Sequence, residues 1–320
     1  MHDGSMPARG RLWLGMMSFG DSGWAQWVRG IDAARPIFRR AIELGIDGFD
    51  TANFYSDGES ERILGRLLAE HGVRDRVRIA TKVGMPAMGG RGLAAAEIRR
   101  QVDGSLQRLG IDRIDLYQIH TWDFETPIDE TLAALDALVD AGKIGAYGCS
   151  NLDAGQLRRS ADAAAAAGLR GFATAQLQLN LLYVEELAST VPLCRTLGIS
   201  VLGYSPLARG RLAGAAHGAG AVREATDAKA QRLYGAPLPA ALDAALAHAC
   251  SESGASRAEV AMAWALAQTG VGGLIIGALD PAELDVAVRA SRLSLASAVL
   301  AGLGAAAPRR EFLRVPIPRD

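Results

Sequence analysis

Four side chains suited to proton chemistry stand where apolar runs end: Asp50 in GFDTANFY, Tyr55 five positions later, Lys82 in ATKVG and His120 in LYQIHTWD. A charge at the end of a buried strand is costly unless it is paired, and Asp50 and Lys82 carry the opposite signs that let them pair. A phenol titrates near 10 in water. An ammonium beside it favours the phenolate and brings its proton closer to transfer at neutral pH. Asp50, Tyr55 and Lys82 therefore read as an acid with a tuned pKa. Composition makes the lysine conspicuous, because the 34 basic residues include only Lys82, Lys143 and Lys229 as lysines. A compact ammonium on a slim stem fits where a planar guanidinium is bulky. Lys143, just before a strand, is expected to face solvent. His120 has two readings: a satisfied structural histidine, or, beside a phenol and an ammonium, a hydrogen-bond donor to a substrate oxygen. Ser150 and Asn151 in YGCSNL end another apolar run in the same way.

These residues lie far apart, so the elements must gather them. Eight short apolar or β-branched runs read as strands: LWLGMMSFG from Leu12, GFDTA from Gly48, VRIATKVG from Val77, IDLYQIH from Ile114, IGAYGCSN from Ile144, FATAQLQLN from Phe172, SVLGYSPL from Ser200 and GLIIGA from Gly273. Between them lie segments with apolar residues at three-to-four spacing, such as those from Glu59, Ala94 and Asp129, which read as helices. Repeated βα units predict a parallel sheet. An open doubly wound sheet uses similar pieces, but eight units in this length favour a closed (β/α)8 TIM barrel, a single domain over residues 1–320. The C-terminal strand ends of such a barrel converge on one mouth. Two long loops are expected there, one carrying Trp24 and Trp27 and one Gly/Ala-rich after the seventh strand.

Composition narrows the partners. With 320 residues, 49% hydrophobic, and a formal net charge of −1, the chain has ample core material and no basic excess to neutralise phosphates. Nucleic acid is not expected, and a small molecule is. The first residues lack the apolar core of a signal peptide, and no apolar run reaches the roughly 18 residues of a membrane helix. Cys149, Cys194 and Cys250 stand in no disulfide or zinc spacing, so no metal is expected and a reducing cytoplasm is.

The stretches GFDTANFYSDGESERILGRLL, IATKVG, IDLYQIHTWD, YGCSNL and GYSPLARGRLAG together resemble the ordered motifs of the aldo-keto reductase superfamily. Within it they are similar to the bacterial branch akin to potassium-channel β-subunits and sugar-type reductases. The likeness runs from about Leu12 to about Ala290. It implies a (β/α)8 barrel, a nicotinamide cofactor extended across the mouth, and a catalytic set of Asp50, Tyr55, Lys82 and His120 that reduces a small-molecule carbonyl. It also implies a carboxamide site at Ser150, Asn151 and Gln176, with Gln178 a competing candidate and Leu179 where an aromatic is common. Tyr204 would stack on the nicotinamide, Ser205, Leu207 and Gly210 would lie at the pyrophosphate, and Gly277 and Asp280 at the adenine end. Met16, Trp24, Trp27, Phe54, Met85 and Trp122 would line an apolar pocket for an aromatic, sugar-derived or secondary-metabolite carbonyl. The tryptophans are equally open to ordinary loop packing.

This chain departs from the family pattern in three places. The N-terminus is short for the β-hairpin that caps the barrel bottom. The basic and polar residues usual after the last strand's glycine are replaced by Leu279 and Asp280, and later positions by Val286 and Ala287. NADPH is the family expectation. An anionic Asp280 disfavours a 2′-phosphate and suits the 2′-hydroxyl of NADH, unless it only caps the following helix. Three other functions compete with carbonyl reduction. GRGLAA from Gly90 matches a Rossmann fingerprint, but MPAMG separates it from its strand, whereas that turn should leave the strand directly. A regulatory subunit resembling channel β-subunits would keep the barrel without turnover. The same residues run in reverse would oxidise an alcohol.

Overall fold

The computed structural model describes residues 10–214 and 219–312, with backbone alone at 219–221. The expected N-terminal cap region falls on residues 1–9 and lies outside the described residues. All eight expected strands form: β1 (Leu12–Gly15), β2 (Gly48–Asp50), β3 (Arg78–Val83), β4 (Ile114–Ile119), β5 (Ile144–Ser150), β6 (Thr174–Gln178), β7 (Ser200–Tyr204) and β8 (Val271–Ile276). Each pairs in parallel with the next, and β1 pairs with β8 through Leu12–Leu274 to Leu14–Ile276, closing the barrel. This settles the choice against an open doubly wound sheet. Helices α1 (Ile31–Glu43), α2 (Glu59–His71), α3 (Ala95–Leu109), α4 (Ile128–Asp140), α5 (Ala154–Ala167) and α6 (Thr190–Thr196) follow the first six strands. Between β7 and β8 come α7 (Ala219–Thr226), α8 (Ala228–Tyr234), α9 (Ala240–Ser253) and α10 (Arg257–Leu266), and after β8 α11 (Pro281–Arg292) and α12 (Ser297–Ala306). Among the described residues no single helix is long and apolar enough to cross a membrane.

Gly90 opens no helix out of a strand: Gly90 pairs with Ala87 in a short loop bridge, and α3 begins at Ala95. The Rossmann match is thereby excluded on context. Helices of the outer ring bury an apolar stripe against the barrel, as α2 does with Ile63, Leu64, Leu67 and Leu68.

Inside the barrel the two-residue period of a strand sorts side chains into layers. A buried apolar layer holds Trp13, Ala80, Leu116, Ala146, Leu202 and Ile275. Below it, the Arg78 guanidinium lies 4.5 Å from the Trp13 ring and is paired with Asp47 at 2.6 Å. Two residues further along the same strands the parity that placed Ala80, Leu116 and Leu202 inward places Lys82, Gln118 and Tyr204. Strands β2 and β6 bring Asp50 and Gln176 to the same level, as their mutual contacts show. One further step reaches His120, Ser150 and Gln178 at the mouth. The polar floor of the site is thus the next layer of an ordinary barrel core.

Candidate active site

Lys82 is fully buried, with its Nζ 2.5 Å from Asp50 Oδ2, 2.8 Å from the Thr51 carbonyl and 3.4 Å from Tyr55 Oη. The other oxygen of Asp50 accepts from Gln176 Nε2 at 2.9 Å and Gln118 Nε2 at 3.2 Å. Donors therefore surround the Asp50 side chain, which offsets the cost of burying it next to an apolar layer. Burial works against the Lys82 charge. Asp50, Tyr55 and the hydrogen bonds to both outweigh it, and the ammonium is held above its ordinary range. Among the described lysines, Lys143 differs as expected, pairing with Asp103 at the surface.

The expectation for the phenol needs correction. Burial raises Tyr55 more than Lys82 lowers it, and Asp50 raises it further, so Tyr55 titrates above the usual phenol range. Lys82 moderates the rise without reversing it. Tyr55 is consequently a protonated acid throughout the neutral range, with a cation in place to stabilise the oxygen once its proton has left. The His120 ring lies edge-on to Tyr55 at 5.7 Å and to Phe54 at 6.2 Å. Burial, then Lys82 and Lys229, push His120 well below its ordinary pKa, so the imidazole is neutral. Among the described residues its buried Nδ1 has no partner; with the proton on Nε2, the ring would donate toward a substrate oxygen.

Ser150, Asn151 and Gln176 meet as a row. Ser150 Oγ donates to the Gln176 carbonyl at 3.1 Å, and Asn151 Nδ2 donates to the His120 carbonyl at 2.8 Å and to Ser150 Oγ at 3.0 Å. Tyr204 Oη donates to Asn151 Oδ1 at 2.7 Å. Gln176 spends its side-chain nitrogen on Asp50 Oδ1 at 2.9 Å and Gln118 Oε1 at 3.3 Å, whereas Gln178, the competing candidate, is taken up between two phenols. Leu179 is fully buried in the core.

Among the described residues every non-glycine at positive φ follows a strand's C-terminal end: Ser56, Asp57, Met88, Asn151, Ser205, Ala208 and Arg209. Such backbone costs energy and persists where surrounding contacts force it. Here those contacts crowd the barrel mouth, where a β-carbon on Gly20 would lie 2.1 Å from Ser56 Oγ.

The aromatic residues divide. Trp24, 37% exposed, packs on Phe54 at 5.7 Å and near Tyr55 at 6.4 Å, forming a wall beside the phenol. Trp27 is set back behind Trp24, buried with Arg223 4.6 Å and Arg209 5.8 Å from its ring. Trp122 is held against Arg159 of α5, Met85 is buried, and Met16 is fully buried and leaves the pocket list.

The segment between β7 and α9, here termed the strap, is the long loop expected after the seventh strand, but its cluster of ion pairs was not foreseen from the sequence. Arg209 and Arg223 both bind Asp227, at 2.5 Å and 3.3 Å, so two guanidiniums share one buried carboxylate. Burial, then the like charge of Arg209, pulls Arg223 down to about 10. Arg223 also reaches Ser18 at 3.4 Å, and its Nη1 lies 3.8 Å from where a β-carbon on Gly277 would stand. A spare cation thus faces a glycine that leaves room for an approaching anion. Asp280 is the N-cap of α11, accepting from Ala282 N at 2.8 Å. Leu279 N donates to Glu283 at 2.8 Å. This surface fits an extended dinucleotide: an amide row at one end, two guanidiniums and a bare glycine in the middle, and carboxylates at the other end.

A closed βα barrel carrying a buried Asp–Lys pair, a phenol and a neutral imidazole at its mouth matches one family model, described as "Aldo/keto reductase family", over residues 11–306, and the chain belongs to that family. An uncharacterised oxidoreductase of Bacillus subtilis is 34% identical over 304 residues, 91% of this chain and 90% of its own. The versiconal hemiacetal acetate reductase of Aspergillus parasiticus is 34% identical over 277 residues, 79% of this chain and 80% of its own. An aldo-keto reductase of Fusarium vanettenii is 34% identical over 226 residues, 62% of this chain and 61% of its own length. The chain thus spans about three fifths of some relatives and most of others.

Proposed function

We propose that this protein reduces the carbonyl of a small aldehyde or ketone, with Tyr55 as proton donor and a nicotinamide cofactor bound across the mouth. The observation that carries the reading is the fully buried Lys82 placed between Asp50 and the Tyr55 phenol beside a neutral His120. A nicotinamide held at this mouth would supply the hydride that the carbonyl carbon needs. Tyr55 gives its proton to the carbonyl oxygen, and Lys82 faces the phenolate that remains. Asp50 keeps Lys82 in place, and neutral His120 donates Nε2–H to the same oxygen and orients it. Ser150, Asn151 and Gln176 would hold the carboxamide, with Tyr204 as the ring beneath it. Ser205, Leu207 and Gly210 with Arg209 and Arg223 would hold the pyrophosphate, and Gly277 the ribose beyond it.

Trp24 and Phe54, packed edge to face at 81°, offer an apolar corner, which suits an aromatic or alicyclic carbonyl. The raised Tyr55 supports reduction as the neutral-pH direction, because oxidation needs the phenolate as base. NADH is used at least as well as NADPH: Asp280 and Glu283 lie at the adenine end, while the nearby Arg289 and Arg40 are occupied by Glu259 and Asp285. The test is a panel of aromatic and aliphatic carbonyls and alcohols with both nicotinamides. Reduction of at least one carbonyl class at neutral pH is expected; tight cofactor binding with no turnover of any substrate would overturn the enzyme reading in favour of a regulatory subunit.

A further inference from the structure

The Gln178 side chain lies between two phenols, with Nε2 2.5 Å from Tyr234 Oη and Oε1 3.3 Å from Tyr204 Oη. A phenol has one proton, and Tyr204 places it on Asn151 Oδ1 at 2.7 Å. The contact between Gln178 and Tyr204 then requires the amide to present nitrogen to Tyr204. Turning the amide over also gives Tyr234 an acceptor at 2.5 Å, a length that suits O–H···O better than N–H···O. Asn180 Nδ2, 3.1 Å from Tyr234 Oη, donates to it. Every proton then runs one way, from Asn180 through Tyr234, Gln178, Tyr204 and Asn151 to the carbonyl of His120.

Tyr234 is the last residue of α8, on the strap, and is 3% exposed. It is braced from the other side by Arg310, whose guanidinium lies 5.8 Å from the Tyr234 ring and donates to the Leu233 carbonyl at 2.5 Å. Glu185 accepts from the Arg310 peptide N–H at 2.6 Å. Proton transfer itself uses neither Tyr234 nor Gln178. Resting on the reading that Tyr204 is the ring against which nicotinamide lies, we propose that Tyr234 and Gln178 are positioning residues that fix the Tyr204 ring plane from the strap. A ring free to turn loses rotamer freedom when a flat partner stacks on it. A hydroxyl held from both sides removes that loss in advance.

Tyr234→Phe deletes one oxygen and keeps the ring under Arg310, and Asn180 Nδ2 stays satisfied by the Ser205 carbonyl at 3.0 Å. Gln178→Leu removes the link itself. Calorimetry on the full chain compares the nicotinamide dinucleotides with ADP-ribose, which has the adenine, pyrophosphate and ribose but no nicotinamide. Each variant should weaken dinucleotide binding about three- to tenfold, the scale of one hydrogen bond, and leave ADP-ribose within twofold. The double variant should be no weaker than the worse single, because both break one chain. In turnover, cofactor KM should rise with kcat nearly constant. Equal loss for dinucleotide and ADP-ribose would overturn the inference, since it would mean the strap alone had loosened; unchanged binding would overturn it too. If the wild type binds dinucleotide but reduces no carbonyl, the reductase reading fails while the binding comparison still decides the role of Tyr234.

Discussion

In the proposed reduction the phenol of Tyr55 is an acid kept in reserve: burial holds its proton, and Lys82, 3.4 Å away, would stabilise what remains when the proton leaves. Tyr55→Phe should therefore cut carbonyl reduction by about 10²–10⁴ while cofactor affinity stays within twofold. Turnover within a few-fold of wild type would remove Tyr55 from the mechanism. The sign of the shift sets the pH dependence. A phenol raised above its ordinary range stays protonated past neutrality, so reduction should hold level through pH 8 and fall only in strong alkali, while any alcohol oxidation climbs with pH. Lys82→Arg keeps the charge but not the shape; with the Thr51 carbonyl at 2.8 Å on one side and the phenol on the other, kcat should drop at least tenfold. Full activity with an unchanged pH profile would contradict the need for an ammonium. Asp50, Lys82 and His120 were legible because each interrupts an apolar run. Gln118 was legible in principle, since it precedes His120 by one strand period in LYQIH, but a neutral amide in a strand gives no signal until its acceptor is seen to be Asp50.

At the scale of elements, the strands could be read from residue type because barrel strands are buried on both faces, and that burial shows as continuous apolar runs. The strap could not. Its Gly- and Ala-rich composition carries no periodicity, and its placement rests on long-range partners: Ser18 for Arg223, Gln178 for Tyr234, Arg310 for Leu233. A further unread element is the 3₁₀ turn Glu185–Ala188, where Glu186 is 3% exposed. Burial raises its carboxyl to about 7, offset only in part by its hydrogen bonds. The folded state then keeps a proton that the unfolded chain has lost by mild acid, so stability falls as pH rises from about 4.5 to 7 and is level beyond. Glu186→Gln should stabilise the protein at pH 8 by up to about 3 kcal/mol on the scale of that shift, with the gain vanishing below pH 4.5. A pH-independent difference in Tm between the two would show that Glu186 does not titrate this way.

For the whole molecule, the proposed use of NADH would be decided where the last strand meets α11, far from the reacting atoms. Asp280 has two roles there, as helix cap and as charge, and Asp280→Asn separates them because asparagine caps as well. Stability should hold, and the ratio of kcat/KM for NADPH over NADH should rise severalfold. A wild type that strongly prefers NADPH would place the phosphate on Arg209 or Arg223 of the strap instead. The seam that closes the barrel has a different kind of consequence, one of time. Strand β8 joins β1 across nearly the whole chain, and Arg11 stitches the join by donating to the carbonyls of Leu266 at 2.6 Å and Val271 at 3.0 Å. During synthesis, β1 through β7 leave the ribosome before their closing strand exists. The growing sheet therefore carries two bare edges, at β1 and β7, each able to pair with a neighbouring chain. The last strand to be made is the one that ends this exposure, so a ribosome stalled before Val271 leaves a chain with a nearly complete mouth and an open flank.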